Sequence, residues 1–224
     1  MSLNYRIISI GTLSQNRLWG ETTAVRTPHA TTTLITAGGQ QILVDPSLPP
    51  AVLAARLNER TGLAPDAVTD VFLTTLRPTH RRGLDAFAHA NVYASEVELA
   101  TYGQRLEELA GSADRLTGED AEQIRGEIEQ VRRIAPAPEK LHEQVHLYPL
   151  PGASPGSAGL LLTPPTLSIL VAGDAVLTVE HLQAGQVWEG CTDTEAAMDS
   201  LQDVLEVADA IIPGHDNVFY PRHG

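Results

Sequence analysis

Apolar residues in this chain fall in short runs that alternate with segments of helical period, and Gly, Pro and acidic residues mark the joins. Residues 5–10 mix Ile with polar positions and predict a strand. Residues 31–36 and 41–44 flank Gly38-Gly39 as a hairpin, and the second of these strands ends in Asp45-Pro46-Ser47. Pro49-Pro50 opens a helix that Gly62 closes, and residues 65–68 predict one helical turn. The run Val71-Phe72-Leu73 predicts a buried strand. A loop of Thr, Arg, Pro and His, Thr74 to Gly83, follows it before a new helix. Residues 91–94 predict another short strand.

Ser95-Glu96-Val97-Glu98 reads as a capping box that starts a helix running to about residue 109. Thr117-Gly118-Glu119-Asp120 starts a second, with Ile124, Ile128 and Val131 on one face. This helical insertion, about residues 95–137, interrupts the strands, either as a specificity cap or as cover for a sheet edge. Strands are predicted again at 145–150, 160–162 and 167–172. Thr192-Asp193-Thr194-Glu195 opens a helix to about residue 208, and a final buried strand, 210–212, ends at Pro213-Gly214-His215-Asp216.

Asp45, His80, Asp174 and His215 each follow the carboxyl end of an apolar strand, beside Gly or Pro. Such ends converge at one edge of a sheet, and polar groups there cost desolvation free energy unless they find partners. A shared site and a structural hydrogen-bond network both fit this pattern.

Composition narrows the function classes. With 224 residues the chain is expected to form one domain, 1–224, and its 42% hydrophobic residues are mostly aliphatic, since aromatics make up 4%. A net charge of −13 argues against nucleic acid or anionic membrane as partner. The lone Cys191, the absence of a signal-like start and the lack of any span-length apolar run suit a cytoplasmic protein.

The loop after Phe72 resembles the metal-binding loop of the metallo-β-lactamase superfamily, Thr-His-x-His-x-Asp-His followed by Gly. Thr74, His80 and Gly83 match, while Thr75, Arg77 and Thr79 stand where His, His and Asp are expected. Four further segments agree in order: Ile42-Leu43-Val44-Asp45, Pro151 to Ser157 with Ala153 replacing the His, Ala172-Gly173-Asp174-Ala175, and Ile211-Ile212-Pro213-Gly214-His215.

The resemblance implies an α/β fold, a four-layer αβ/βα sandwich of two mixed β-sheets flanked by helices. It also implies a degenerate site. The first metal position would read Thr75, Arg77, Ala153 and Asp174, with one ligand left. The second would read Thr79, His80, Asp174 and His215, with three left. His80, Asp174 and His215 could hold one Zn²⁺, Fe²⁺ or Mn²⁺, with Asp45 and Thr79 beside the ligands. Asp45 would accept from His80 or His215, or else cap its own turn.

Arg77 either points inward to pair with Asp174, leaving the site metal-free or holding one weakly bound ion, or points to solvent. The cluster Arg77, Arg81 and Arg82 suits capture of an anion or pairing with acids such as Asp85. His29 could line the pocket or serve structure, Trp19 and Trp188 could flank a cleft or fill the core, and Cys191 reads as structural. His89, His142, His146, His181 and His223 fit no ligand spacing.

Two functions follow from the resemblance. One is a metal-dependent hydrolase for a small ester, lactone or thioester, with a bound water as nucleophile and Arg77 stabilising the oxyanion beside Asp174. The other is a non-catalytic descendant that binds a small anionic ligand or a protein partner.

Overall fold

The computed structural model describes residues 3–111 and 118–221. Its first sheet runs in the order β1 (Asn4–Ser9), β2 (Thr32–Ala37), β3 (Gln40–Val44), β4 (Asp70–Phe72), β5 (Asn91–Ala94) and β6 (Ala135–Pro136). β1, β2 and β3 pair antiparallel, and β3 through β6 pair parallel. The second sheet runs β11 (Ala210–Pro213), β10 (Ile169–Gly173), β9 (Ala158–Leu162), β8 (Val145–Pro149) and β7 (Lys140–His142). Only β10 and β11 pair parallel there. Both sheets are therefore mixed, as the resemblance implies.

Strand periodicity explains the layering. Ile42 and Val44 of β3 pack between the sheets with Phe72, Val145, Leu160, Leu162, Val171 and Ile212. Leu43, one residue out of phase, turns to the opposite face and meets Leu53 and Leu57 of α1 (Pro50–Thr61). On the far side, Leu170 and Ile211 pack against Leu182 of α5 (Val179–Gln183) and Leu201 and Val204 of α6 (Thr194–Val207). Helix, sheet, sheet, helix is the result. α1 begins with Pro at its first position and ends at Gly62, whose φ of 75° lets its N–H reach Asn58 O.

The helical insertion is a pair, α3 (Glu96–Gly111) and α4 (Gly118–Arg132), packed on the outer face of the first sheet through Leu106 and Val131. Its expected second cap, Thr117, lies outside the described residues. Ser95 caps α3 by accepting the Glu98 N–H at 3.1 Å, but the Glu98 side chain does not close the box: it turns inward and is buried. At the last helix Asp193, not Thr192, is the cap, accepting from Ala196 N at 3.0 Å. Thr192 instead donates to Gly152 O. β6, β7 and α5, with two, three and five residues, are too short to leave a period in the sequence. Among the described residues no helix is long and apolar enough to cross a membrane.

Candidate metal centre

The carboxyl ends of β3, β4, β10 and β11 open onto one edge of the sandwich, and the polar residues following them meet there. His80 sits in a four-residue helix, α2 (Pro78–Arg81), and is fully buried. Its Nε2 and that of His215 each lie 3.2 Å from Asp174 Oδ1. One ligand atom from each of the three residues falls within 4.8 Å of the others. Two glycines permit this approach. A Cβ on Gly214 would lie 2.8 Å from Asp174 Oδ1, and Gly173 (φ +53) would put one 2.6 Å from Thr74 Oγ1.

Arg77 answers its question by pointing inward. It donates to Asp174 Oδ2 at 2.7 Å and to Ala153 O, and its guanidinium lies 3.9 Å from the Trp188 ring centre. Asp174 is thus divided, with Oδ2 given to a fixed cation and Oδ1 to two imidazoles. Burial pushes its carboxyl up, but His80 and His215 outweigh that and hold it well below the usual range. Burial likewise lowers the His80 imidazole, and the charges of Asp174 and Asp45 reverse this, leaving it raised.

The donor set fits a cation. His215 Nδ1 lies 3.0 Å from His29 O, which can only accept, so Nδ1 carries a hydrogen and Nε2 is the ring atom turned to Asp174, able to donate when protonated and to ligate a cation when not. His80 Nε2 and Asp174 Oδ1, both buried, have no hydrogen-bond partner among the described residues although they face each other. Ring nitrogens converging on a carboxylate oxygen call for a proton or a metal ion between them.

Other expected residues are placed differently. Arg81 is buried and faces away from the cavity: its Nε donates to Leu76 O at 2.8 Å, and its remaining donors hold Gln130, Tyr102 and Glu127 of the helical pair. It is an anchor for the insertion, because a desolvated guanidinium needs several acceptors. Its partner acid is Glu127, not Asp85. The His29 ring lies beside Ile10 O and Thr27 O, and what His29 gives to the site is its backbone carbonyl. Thr79 Oγ1 is 3.3 Å from His80 Nδ1.

Asp45 accepts from Thr74 N at 2.9 Å and Thr74 Oγ1 at 2.7 Å, and from neither imidazole. It holds the loop rather than a ring. Burial, the dominant influence, pushes its carboxyl up from 3.8 to about 6. An acid raised in this way binds its proton more tightly when folded. Its stabilising contribution is full below about 3.8 and is lost as pH rises through about 6. Asp45→Asn, uncharged throughout and of a residue type tolerant of the φ of 50 found here, is expected to gain on the parent. Between about pH 4 and about pH 7 the gain should be on the order of 2 kcal/mol. Denaturant unfolding at both ends of that range measures it, and a constant gap would refute it.

In front of the centre lies a cavity of about 480 Å³, lined by Arg77, Asp174 and His215 together with Leu13, Trp188 and His181. Arg17 and Glu189, paired at 2.6 Å, also line it. Trp188 is therefore a cavity wall, whereas Trp19 is an exposed residue under the Arg26 guanidinium. Residue patterns gave no notice of Glu98 or His181. Glu98 takes hydrogen bonds from Thr75 Oγ1, Leu76 N, Ser154 Oγ and Gly156 N. Its place in a capping motif disguised that use. His223 lies outside the described residues.

Comparison with known proteins agrees with the architecture. The family model of the metallo-beta-lactamase superfamily matches residues 26–215. Among solved structures, a metallo-beta-lactamase candidate from Thermotoga maritima superposes with a TM-score of 0.72 at 16% identity, over 99% of this chain and 100% of that one. AidC, a dizinc quorum-quenching lactonase, gives 0.70 at 15% identity, over 100% and 88%. A quorum-quenching N-acyl homoserine lactone hydrolase gives 0.65 at 20%, over 96% and 92%. At these identities the likeness speaks for the fold alone. No curated protein sequence matches the chain.

Proposed function

Because the chain belongs to the metallo-β-lactamase superfamily, we propose that it is a hydrolase-like protein with a reduced site, holding at most one ion, that acts on a small ester, lactone or thioester. One observation carries this reading: His80 Nε2 and Asp174 Oδ1 are buried without a hydrogen-bond partner among the described residues and converge with His215 Nε2. A two-His, one-carboxylate set suits Zn²⁺, Fe²⁺ or Mn²⁺. An ion held there would supply Lewis acidity toward an acyl oxygen and toward water.

The chain's own residues supply the rest. Arg77, fixed by Asp174, Ala153 O and Trp188, stands as a permanent charge where the resemblance implies the first metal, and its fork suits an oxyanion or an anionic substrate group. Leu13, Leu177, Val187 and Trp188 give the cavity an apolar wall for the remainder of the molecule. The lactonase and hydrolase relatives agree in class. The site loop and the acidic composition suit a small molecule rather than nucleic acid.

A second reading, a non-catalytic protein binding a small anion or a protein partner, is favoured by the same Arg77, which repels a cation. Elemental analysis of protein purified without chelator separates the two. The expected result is about one equivalent of a divalent metal per chain when the metal is offered, held weakly enough for a chelator to remove it, and lost in His215→Ala together with turnover of an ester and lactone panel. Protein that stays metal-free when offered Zn²⁺, Fe²⁺ and Mn²⁺ would favour the second reading.

A further inference from the structure

Hydrolysis of an acyl bond needs a group that takes a proton from water and returns it to the leaving atom. Asp174 is poorly suited, since Oδ2 is bound to Arg77 and Oδ1 faces two imidazoles. His80 and His215 are occupied as ligands on the reading above, and Glu189 is paired with Arg17 at the cavity mouth. Among the described titratable residues lining the cavity, His181 remains.

Its ring is set by a relay. The Thr178 hydroxyl donates to Glu180 Oε2 at 2.8 Å and lies 2.9 Å from His181 Nδ1. A hydroxyl has one hydrogen, so toward the ring it accepts, and Nδ1 carries the proton. Nε2 is then left with its lone pair. Thr178 is also the N-cap of α5, accepting from His181 N, which fixes the backbone that bears the ring.

We propose that His181 is the proton-transfer residue of the hydrolysis, an inference that rests on the function proposed above. Nε2 takes a proton from a water molecule as the water oxygen bonds to the acyl carbon. It then gives that proton to the oxygen or sulfur of the departing alcohol or thiol as the acyl bond breaks. Water is consumed, an acid and an alcohol or thiol are released, and the imidazole ends neutral as it began. Burial lowers the His181 pKa, with His215 adding to this and Glu180 opposing it, which keeps the free base available. The other charged groups on this cavity are Arg17, Arg77, Asp174 and Glu189.

The test has an arm without turnover. Long-range proton–nitrogen NMR of the parent is expected to show His181 protonated on Nδ1 alone, a preference that Thr178→Val removes. A proton on Nε2 overturns the proposal. In the metal-loaded protein, His181→Ala is expected to lower kcat about 10²-fold or more at unchanged KM and metal content. Added imidazole should restore turnover in that variant and not in His215→Ala. A parent that turns over the panel while His181→Ala matches it refutes the role of His181 alone. A parent that turns over nothing with any of the three metals takes down the proposed function, and this inference with it.

Discussion

Glu98→Ala is expected to lower the unfolding free energy by about 3–5 kcal/mol. The carboxylate is buried and takes four hydrogen bonds, at 2.7 Å from Thr75 Oγ1, 2.9 Å from Leu76 N, 2.7 Å from Ser154 Oγ and 3.2 Å from Gly156 N. The two hydroxyls can turn to other acceptors. The two backbone N–H groups cannot, and each stranded donor costs about 1–3 kcal/mol. Glu98→Gln keeps the shape but sets an amide NH₂ against donors, so an intermediate loss is expected. Denaturant melting of both variants measures this, and an Ala variant as stable as the parent would show that water serves these donors equally well.

Asp174→Asn is expected to weaken divalent-metal affinity by about 100-fold or more, since even partners outside the coordination shell account for 10–100-fold. Arg77→Gln should move affinity the other way. A guanidinium and a divalent ion sharing one carboxylate repel by on the order of 1–2 kcal/mol at a water-like dielectric constant, which is about tenfold in affinity. Competition against a chromophoric chelator reads both variants. Opposite signs are required by the division of Asp174 between Oδ1 and Oδ2. Equal weakening in both would mean that Arg77 organises the site instead of opposing the ion.

Apart from β6 and β7, the strands were legible because their apolar runs stand out from the polar joins, and the ends of β3, β10 and β11 announced Asp45, Asp174 and His215. His80, several residues beyond the end of β4, fitted the same pattern more loosely, and the loop that resembles a metal-binding motif gave it a role. What escaped has a common physical cause. Arg81 and Glu98 are charged residues buried through contacts far away in sequence, with Gln130 and Glu127 for one and Ser154 and Gly156 for the other. A sequence read locally assigns such residues to solvent or to a helix cap. His181 escaped because its helix has five residues, and because its role depends on Thr178 and Glu180 presenting one ring nitrogen, not on any ligand spacing.

The chain contains two tryptophans, each with an arginine over its ring, Arg26 at 5.3 Å from Trp19 and Arg77 at 3.9 Å from Trp188. Trp19 is 56% exposed, while Trp188 lies against the one guanidinium that touches Asp174. An indole stacked on a cation emits differently from one left bare, so displacement of Arg77 by an incoming anion would alter the emission of Trp188. The protein carries its own optical gauge of occupancy, and changing Trp19 to Phe would leave that signal without background.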